Sequence, residues 1–289
     1  MTGGRDANMT DSLLTLPPGK RMAVALTFDF DAHSPWMGTV GRTSPSYLSR
    51  GDFGAEQGVP RLLELLGRHD LPATWATPGH DLVTFPHRIE QILASGHEIA
   101  AHGCYHEVVP SLGPDEERRL MEVALGQHER IVGRRPRGYR SPAWDFSETT
   151  LDLLEEFGFD WDSSLMGREF ELYRPRRVTL NYESANEFGP ESRIIEIPVS
   201  WYLDDWPSVE YVAGVSALGP HRDMEDRWHT IFQYAHERVP GAVYVLTMHP
   251  QTIGRSHHLL VLEGLIERML EAGDVWFATL SEIADAWRG

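Results

Sequence analysis

Two histidines four apart, His102 and His106 in GHEIAAHGCYH (96–106), and two aspartates two apart, Asp29 and Asp31 closing MAVALTFDFD (22–31), are the side chains best suited to chemistry. Imidazoles at that spacing converge on one ion whether the backbone between them is a helical turn or a tight loop. The aspartates close an apolar, β-branched and aromatic run, and in an extended backbone residues two apart share a side. Two like charges together at the end of an interior strand need a reason. One carboxylate with two imidazoles leaves positions open on a divalent ion, the arrangement of a catalytic rather than a structural site. Such an ion brings its bound water toward a pKa of about 7 and polarises a carbonyl oxygen, which makes an unactivated amide hydrolysable. The second aspartate is then free to act as base. An acid must still protonate the leaving nitrogen, and His249, at the exit of the buried run AVYVLTMH (242–249), suits that role.

The elements that must position these groups alternate. Strands are expected at 23–28, 71–77, 97–101, 137–140, 159–162, 193–200, 242–249 and 275–278. Between them helices are expected at 59–69, 85–96, 115–132, 148–157, 223–239, 257–272 and 280–287, with Ser147 as an N-cap and Thr279 with Glu282 as a capping box. Strands alternating with helices through short connections impose right-handed parallel crossovers, so the fold class is α/β: a distorted (β/α) barrel of seven or eight parallel strands. In that fold Asp29, Asp31, His102, His106, Arg140, Asp162 and His249 all reach the carboxyl-terminal rim, where barrel enzymes do their chemistry. The Gly-, Ser- and Pro-rich connection after Asp31, with Trp36 and Tyr47, reads as a lid or wall of the site, or a subunit contact, and His33 extends the aspartate alternation as a further candidate ligand. The segment 165–192 reads as a loop-rich insertion without periodicity. His257 and His258 stand at a helix start and acquire no role.

Size and charge set the bounds. A chain of 289 residues that is 41% hydrophobic suits one barrel domain at 21–289, preceded by a loose polar arm at 1–20. With 26 basic against 43 acidic residues the net charge is −17, which argues against nucleic acid or an anionic membrane as partner. The single cysteine, Cys104, excludes an intramolecular disulfide and reads as a small packed residue. No run resembles a signal peptide or membrane span, so a cytoplasmic protein is expected.

The motifs resemble those of the polysaccharide deacetylases that share the NodB homology domain, carbohydrate esterase family 4. Thr27-Phe28-Asp29-Phe30-Asp31 looks like the first family motif, in which the leading aspartate is the base and the following one a metal ligand. Phe30 separates two aspartates that the family typically has adjacent, which leaves open the reverse division, Asp31 as base and Asp29 as ligand. His102-Gly103-Cys104-Tyr105-His106 matches the second motif, the two histidine ligands. Arg140-Ser141-Pro142-Ala143-Trp144 is similar to the third, whose arginine holds the base, and Leu246-Thr247-Met248-His249 matches the fifth, whose histidine is the acid. Asp162 is the candidate for the fourth.

The resemblance covers about 22–285 and implies a divalent metal, usually zinc, with cobalt, manganese or iron(II) as alternatives. Tyr139-Arg140-Ser141-Pro142, the run WYLDDW (201–206) and Met248-His249-Pro250-Gln251 look most like the cytoplasmic branch, which includes allantoinase-like and cyclic imide hydrolases and proteins labelled peptidoglycan deacetylases, several of them tetramers. A homo-oligomer acting on a small cyclic imide or ureide, or on an N-acetylated saccharide, is therefore expected. Trp36, Ser141, Pro142, Trp144, Trp201, Asp204 and Asp205 are the candidate substrate contacts. Two other readings use the same residues: a non-haem iron oxygenase, with a two-histidine, one-carboxylate set, and a descendant that keeps the scaffold only for binding or assembly.

Overall fold

The computed structural model describes residues 14–287. Regular structure begins with β1 (Met22–Asp29) and runs through helices α1 (Ser34–Met37), α2 (Pro45–Phe53) and α3 (Val59–His69) to β2 (Thr74–Thr77). Helices α4 (Gly79–Thr84) and α5 (Pro86–Ala94) lead to β3 (Glu98–Ala101), α6 (Pro114–Val132) to β4 (Gly138–Tyr139), and α7 (Thr150–Phe157) to β5 (Trp161–Asp162). A hairpin of β6 (Arg176–Thr179) and β7 (Glu187–Glu191) precedes β8 (Ile195–Glu196), and α8 (Trp206–Val209) and α9 (His221–Arg238) precede β9 (Val243–Met248). Then follow α10 (Pro250–Ile253), α11 (Ser256–Glu271), β10 (Val275–Phe277) and α12 (Leu280–Ala286).

Eight strands form one sheet in the order β10-β1-β2-β3-β4-β5-β8, with β9 added to β1, and every pairing in it is parallel. β9 runs along one edge of β1. The other edge is shared, β10 pairing with Met22–Val24 and β2 with Thr27–Asp29. The sheet curls into an incomplete (β/α) barrel. Among the described residues no ladder joins β8 to β9; the gap is spanned by Phe170, whose carbonyl accepts from the Val243 N–H at 2.8 Å, and by Tyr173, bridged to Glu196. Near the carboxyl end of β9, Asp204 bridges to Thr247 and the Asp205 N–H donates to the Thr247 carbonyl at 3.4 Å.

The period-two geometry of β1 decides what the barrel contains. All eight of its residues are buried, as a strand covered on both faces must be. Val24, Leu26 and Phe28 pack outward with α3 and α11, among Leu62, Leu65, Leu262 and Ile266. Such side chains contribute about 1.5–3 kcal/mol each when fully buried. Ala23 and Ala25 point the other way, into a cluster with Trp161, Ile197, Val243 and Val245. Continuing that alternation, Thr27, Asp29 and Asp31 share the inner side and are each at most 1% exposed.

Several boundaries differ from expectation. The connection after Asp31 is largely helical: α1, α2 and a π-helical turn, Gly54–Gly58, that runs directly into α3. Its glycines suggest a loop by composition, but they serve close packing: a Cβ on Gly58 would lie 2.2 Å from the Pro250 carbonyl oxygen of α10. The 165–192 segment contains the antiparallel β6–β7 hairpin, and of the strand expected at 193–200 only Ile195–Glu196 is regular. The cap expected at Ser147 moves to Thr149, because the Ser147 hydroxyl accepts from the Thr149 N–H at 2.9 Å and also bonds Glu117. Thr279 and Glu282 form the expected capping box of α12. Of the expected arm, 1–13 lies outside the described residues. From Leu14 the chain is laid against the barrel, Leu14 being buried and the Thr15 N–H bonded to the Ala286 carbonyl at 3.1 Å.

Candidate active site

At the carboxyl ends of β1, β3 and β9 lies a cavity of about 170 Å³ whose inner wall is Asp29, Asp31, His102, His106 and His249. The His102 Nε2 is 3.3 Å from Asp31 Oδ1, and the His106 Nε2 is 4.0 Å from Asp31 Oδ2. These three residues can hold a metal ion: one ligand atom from each lies within 4.8 Å of the others. The chemistry of the donor set fits such an ion, because both Asp31 carboxylate oxygens and His102 Nε2 are buried without a hydrogen-bond partner. Buried polar atoms left that way cost free energy unless something else satisfies them.

The imidazoles are held in the tautomer a cation requires. His102 Nδ1 donates to the Arg140 carbonyl at 2.7 Å, which leaves Nε2 bare. The Thr39 hydroxyl donates to the His106 carbonyl at 3.0 Å, so at 2.6 Å from His106 Nδ1 it acts as acceptor, and Nε2 is again the free nitrogen. Thr39 reaches that position because α1 passes close: a Cβ on Gly38 would lie 2.0 Å from the His106 carbonyl oxygen. Burial drives the pKa of His106 down to about 4 against the pull of Asp31, whereas at His102 burial is outweighed by Asp29 and Asp31, which raise its pKa. His106 also has φ +61°, and Ala32, Ala143 and Trp144 around the cavity have φ +42°, +52° and +54°. Left-handed conformations in such residues cost free energy and gather at functional sites.

Asp29 is the carboxylate that Arg140 holds. Arg140 Nη1 donates to Asp29 Oδ1 at 2.7 Å and to Thr27 Oγ1 at 2.9 Å, while its Nε and Nη2 bond the carbonyl and hydroxyl of Ser163 at 2.9 and 3.0 Å. Burial opposes ionisation of Asp29, but Arg140, with His102 and His249, outweighs it and lowers the pKa. Facing it across the cavity, His249 Nε2 lies 4.0 Å from Asp29 Oδ2 and 3.6 Å from Asp31 Oδ2. Its Nδ1 is 2.7 Å from Asp205 Oδ1, and its backbone N–H also bonds that carboxylate at 3.0–3.1 Å. Burial disfavours the imidazolium, yet Asp205, Asp204 and Asp31 raise its pKa well above the ordinary value.

The remaining candidates divide into those that line the cavity and those behind it. Trp144, Trp201 and Asp204 line it, the two indoles stacked 4.1 Å apart, with Pro35, Thr39, Val40 and Trp206 completing the mouth. Asp205 stands behind His249. Trp36 does not reach the cavity; it is fully buried between Tyr47 and Trp206. Ser141 spends its N–H on Ser164 Oγ at 2.8 Å and its hydroxyl on the Asp145 carbonyl at 2.5 Å, and Pro142 packs on Gly103. Asp162 lies outside the lining, accepting from Ser164 Oγ at 2.9 Å beside Glu196. Burial raises both acids, Asp162 to about 6 and Glu196 well above its ordinary range. His33 turns away and pairs with Asp52 at 2.8 Å. Sequence reasoning passed over Thr39 and Ser163: a hydroxyl in a polar connection carries no spacing signal, and Ser163 gives only its adjacency to Asp162.

A profile described as "Polysaccharide deacetylase" matches residues 17–161. A peptidoglycan deacetylase of Helicobacter pylori is 34% identical over 92% of this chain and 96% of its own length. A peptidoglycan deacetylase-like protein of Gibberella zeae is 33% identical over 94% and 88%. Among solved structures, one from Mycobacterium smegmatis assigned to the polysaccharide deacetylases superposes with a TM-score of 0.82 at 33% identity, covering 95% of this chain and 92% of that one. An allantoinase shares the fold at a TM-score of 0.79 and 20% identity, over 99% and 97%. The chain belongs to the polysaccharide deacetylase family, hydrolases that act on carbon–nitrogen bonds. Among the described residues no helix is long and apolar enough to cross a membrane.

Proposed function

We propose that this protein is a metal-dependent hydrolase of a non-peptide C–N amide bond in a small, compact substrate, a cyclic imide or ureide before an N-acetylated sugar. The observation that carries the reading is the buried ligand set of Asp31, His102 and His106, with the Asp31 oxygens and His102 Nε2 unpartnered, facing an arginine-held carboxylate on one side and an aspartate-held histidine on the other. A divalent cation on the first three, zinc by preference, supplies a Lewis acid for the amide carbonyl and acidifies water. Asp29, kept ionised by Arg140, accepts a proton from the attacking water. His249 Nε2 gives a proton to the departing nitrogen, and Asp205 stabilises the imidazolium that must hold it. Water adds to the carbonyl carbon, the C–N bond breaks, and a carboxylic acid forms; an N-acetylated sugar releases an amine, whereas an opened imide or ureide ring keeps its nitrogen on the same molecule as a carboxamide or ureido group. The assembly is taken to be a homo-oligomer, checked by light scattering.

The preference for a small ring rests on the mouth of the cavity, which Pro35, Thr39 and Val40 narrow on one side and Trp144, Trp201 and Trp206 on the other. A saccharide has its own support: Trp201 is 43% exposed and, stacked on Trp144, offers a flat apolar rim of the kind sugar rings pack on. The test is a hydrolysis screen of the metal-loaded and chelator-treated protein over cyclic imides, ureides and N-acetylglucosamine oligomers. Amine or ring-opened product that disappears with the metal is expected. Hydrolysis indifferent to chelation, or oxygen uptake with an oxo-acid, would overturn the reading.

A further inference from the structure

We infer that the protein carries a second binding site, for a small oxyanion, on the far side of α8 and α10 from the active site. A cavity of about 340 Å³ there is lined by His221, His257, His258, Arg255 and Arg50, with Glu210 and Thr252 at its floor. In a chain of net charge −17, three imidazoles and the Arg255 guanidinium gathered beside an already paired Arg50–Glu210 suit a negative occupant. The rings of His257 and His258 are 3.9 Å apart and that of His221 is 5.6 and 6.5 Å from them. Burial and mutual repulsion with His258, His221 and Arg255 lower the pKa of His257, so the cluster resists protonation until a counter-charge enters.

Two long helices begin at this cavity, α9 at His221 and α11 at Ser256, and neither has a side-chain cap on its first turn. Residues of both first turns, His221, His257 and His258, line the cavity, which puts the positive end of each helix beside it. His258 points to a ligand independently. It is 5% exposed, its Nδ1 is committed to the Thr252 carbonyl at 2.9 Å, and Nε2, on the opposite side of a ring that lines the cavity, has no partner. One carboxylate, Glu210, is present, but it already accepts from Arg50 Nη1 at 3.0 Å and Thr252 Oγ1 at 3.1 Å. Arg255 keeps its terminal nitrogens available, its Nε being bonded to the Gln251 carbonyl at 3.2 Å and its guanidinium lying 3.5 Å over Phe53. Imidazoles, a guanidinium and helix N–H groups together recognise a phosphate or carboxylate group. The imidazole nitrogens are too dispersed to meet on one metal, and among the described residues they do not form a ligand-atom cluster.

Titration calorimetry of the metal-loaded protein at fixed ionic strength, with inorganic phosphate in one arm and succinate in the other, tests the site and names the anion. Saturable one-to-one binding of one of them is expected in the wild type and equally in His102→Ala, which removes the active-site cation as an alternative anchor. His258→Asn keeps a donor for the Thr252 carbonyl while deleting Nε2, and should weaken binding about tenfold or more, the loss of one charge-assisted hydrogen bond. His257→Asn, at a more exposed position, gives the same direction of change should the first variant fold poorly. Binding lost in His102→Ala but kept in both histidine variants, or no saturable binding in either arm, would overturn the proposal.

Discussion

Two aspartates separated by one phenylalanine are given different roles in the proposed mechanism because different neighbours reach them. Asp29 meets Arg140 at 2.7 Å, whereas Asp31 has both oxygens bare toward the two imidazoles. The proposal assigns base and ligand from these neighbours, which no spacing rule supplies, because Arg140 is more than a hundred residues away from Asp29 in sequence. Asp29→Asn should abolish turnover while the protein still retains its metal, and His102→Ala should lose both; equal metal content in the two variants, read by elemental analysis, would contradict these roles. Arg140→Met leaves a buried carboxylate without its partner. It should cost about 3–5 kcal/mol in denaturant unfolding. It should also move the acid limb of the pH–rate profile upward, since the charge that lowers the Asp29 pKa is gone. At the other side, Asp205→Asn should bring the alkaline limb down, because His249 then surrenders its proton at lower pH.

Elements explain which candidates reached the cavity. The histidines at 102 and 106, the β1 aspartates and His249 were legible because strand alternation and strand ends fix where a side chain goes. Ser141, Pro142 and Asp162 share those strand ends but are spent on the backbone around them. Type and position alone could not separate the two groups, since the difference lies in whose N–H or hydroxyl is nearby. The helical stretch after Asp31 was illegible for another reason: its glycines mark close contacts rather than turns. Gly38→Ala tests this, for a methyl group cannot share the 2.0 Å to the His106 carbonyl. Displacement of α1 should strip Thr39 from His106 and weaken metal retention by about tenfold, the loss expected when an outer-shell partner of a ligand is removed. Metal competition with a chromogenic chelator measures it, with circular dichroism to establish that the fold survives.

At the scale of the whole molecule, the alternation of strands and helices made the barrel legible, but not where it fails to close, because β8 is only two residues long and its neighbours there are irregular segments. Burial also ties the fold to pH. His128, on the inward face of α6, is kept neutral by desolvation, which draws its pKa down to about 4 from an ordinary 6.5. The unfolded chain takes up that proton first as pH falls, so stability is full above 6.5 and drains away down to about pH 4, by at most about 3 kcal/mol. Denaturant titrations of wild type and His128→Leu should diverge in slope over that window, the variant being flatter. The open seam between β8 and β9 has a mechanical consequence as well. On one side of it β8 is held to β5 at only two positions, Ile195 and Glu196, whereas on the other β9 is paired with β1 at six, and the candidate site is built at the ends of β1, β3 and β9. Gentle warming should therefore fray the β8 margin first, with amide exchange at Ile195 and Glu196 outpacing that along β1 and β9.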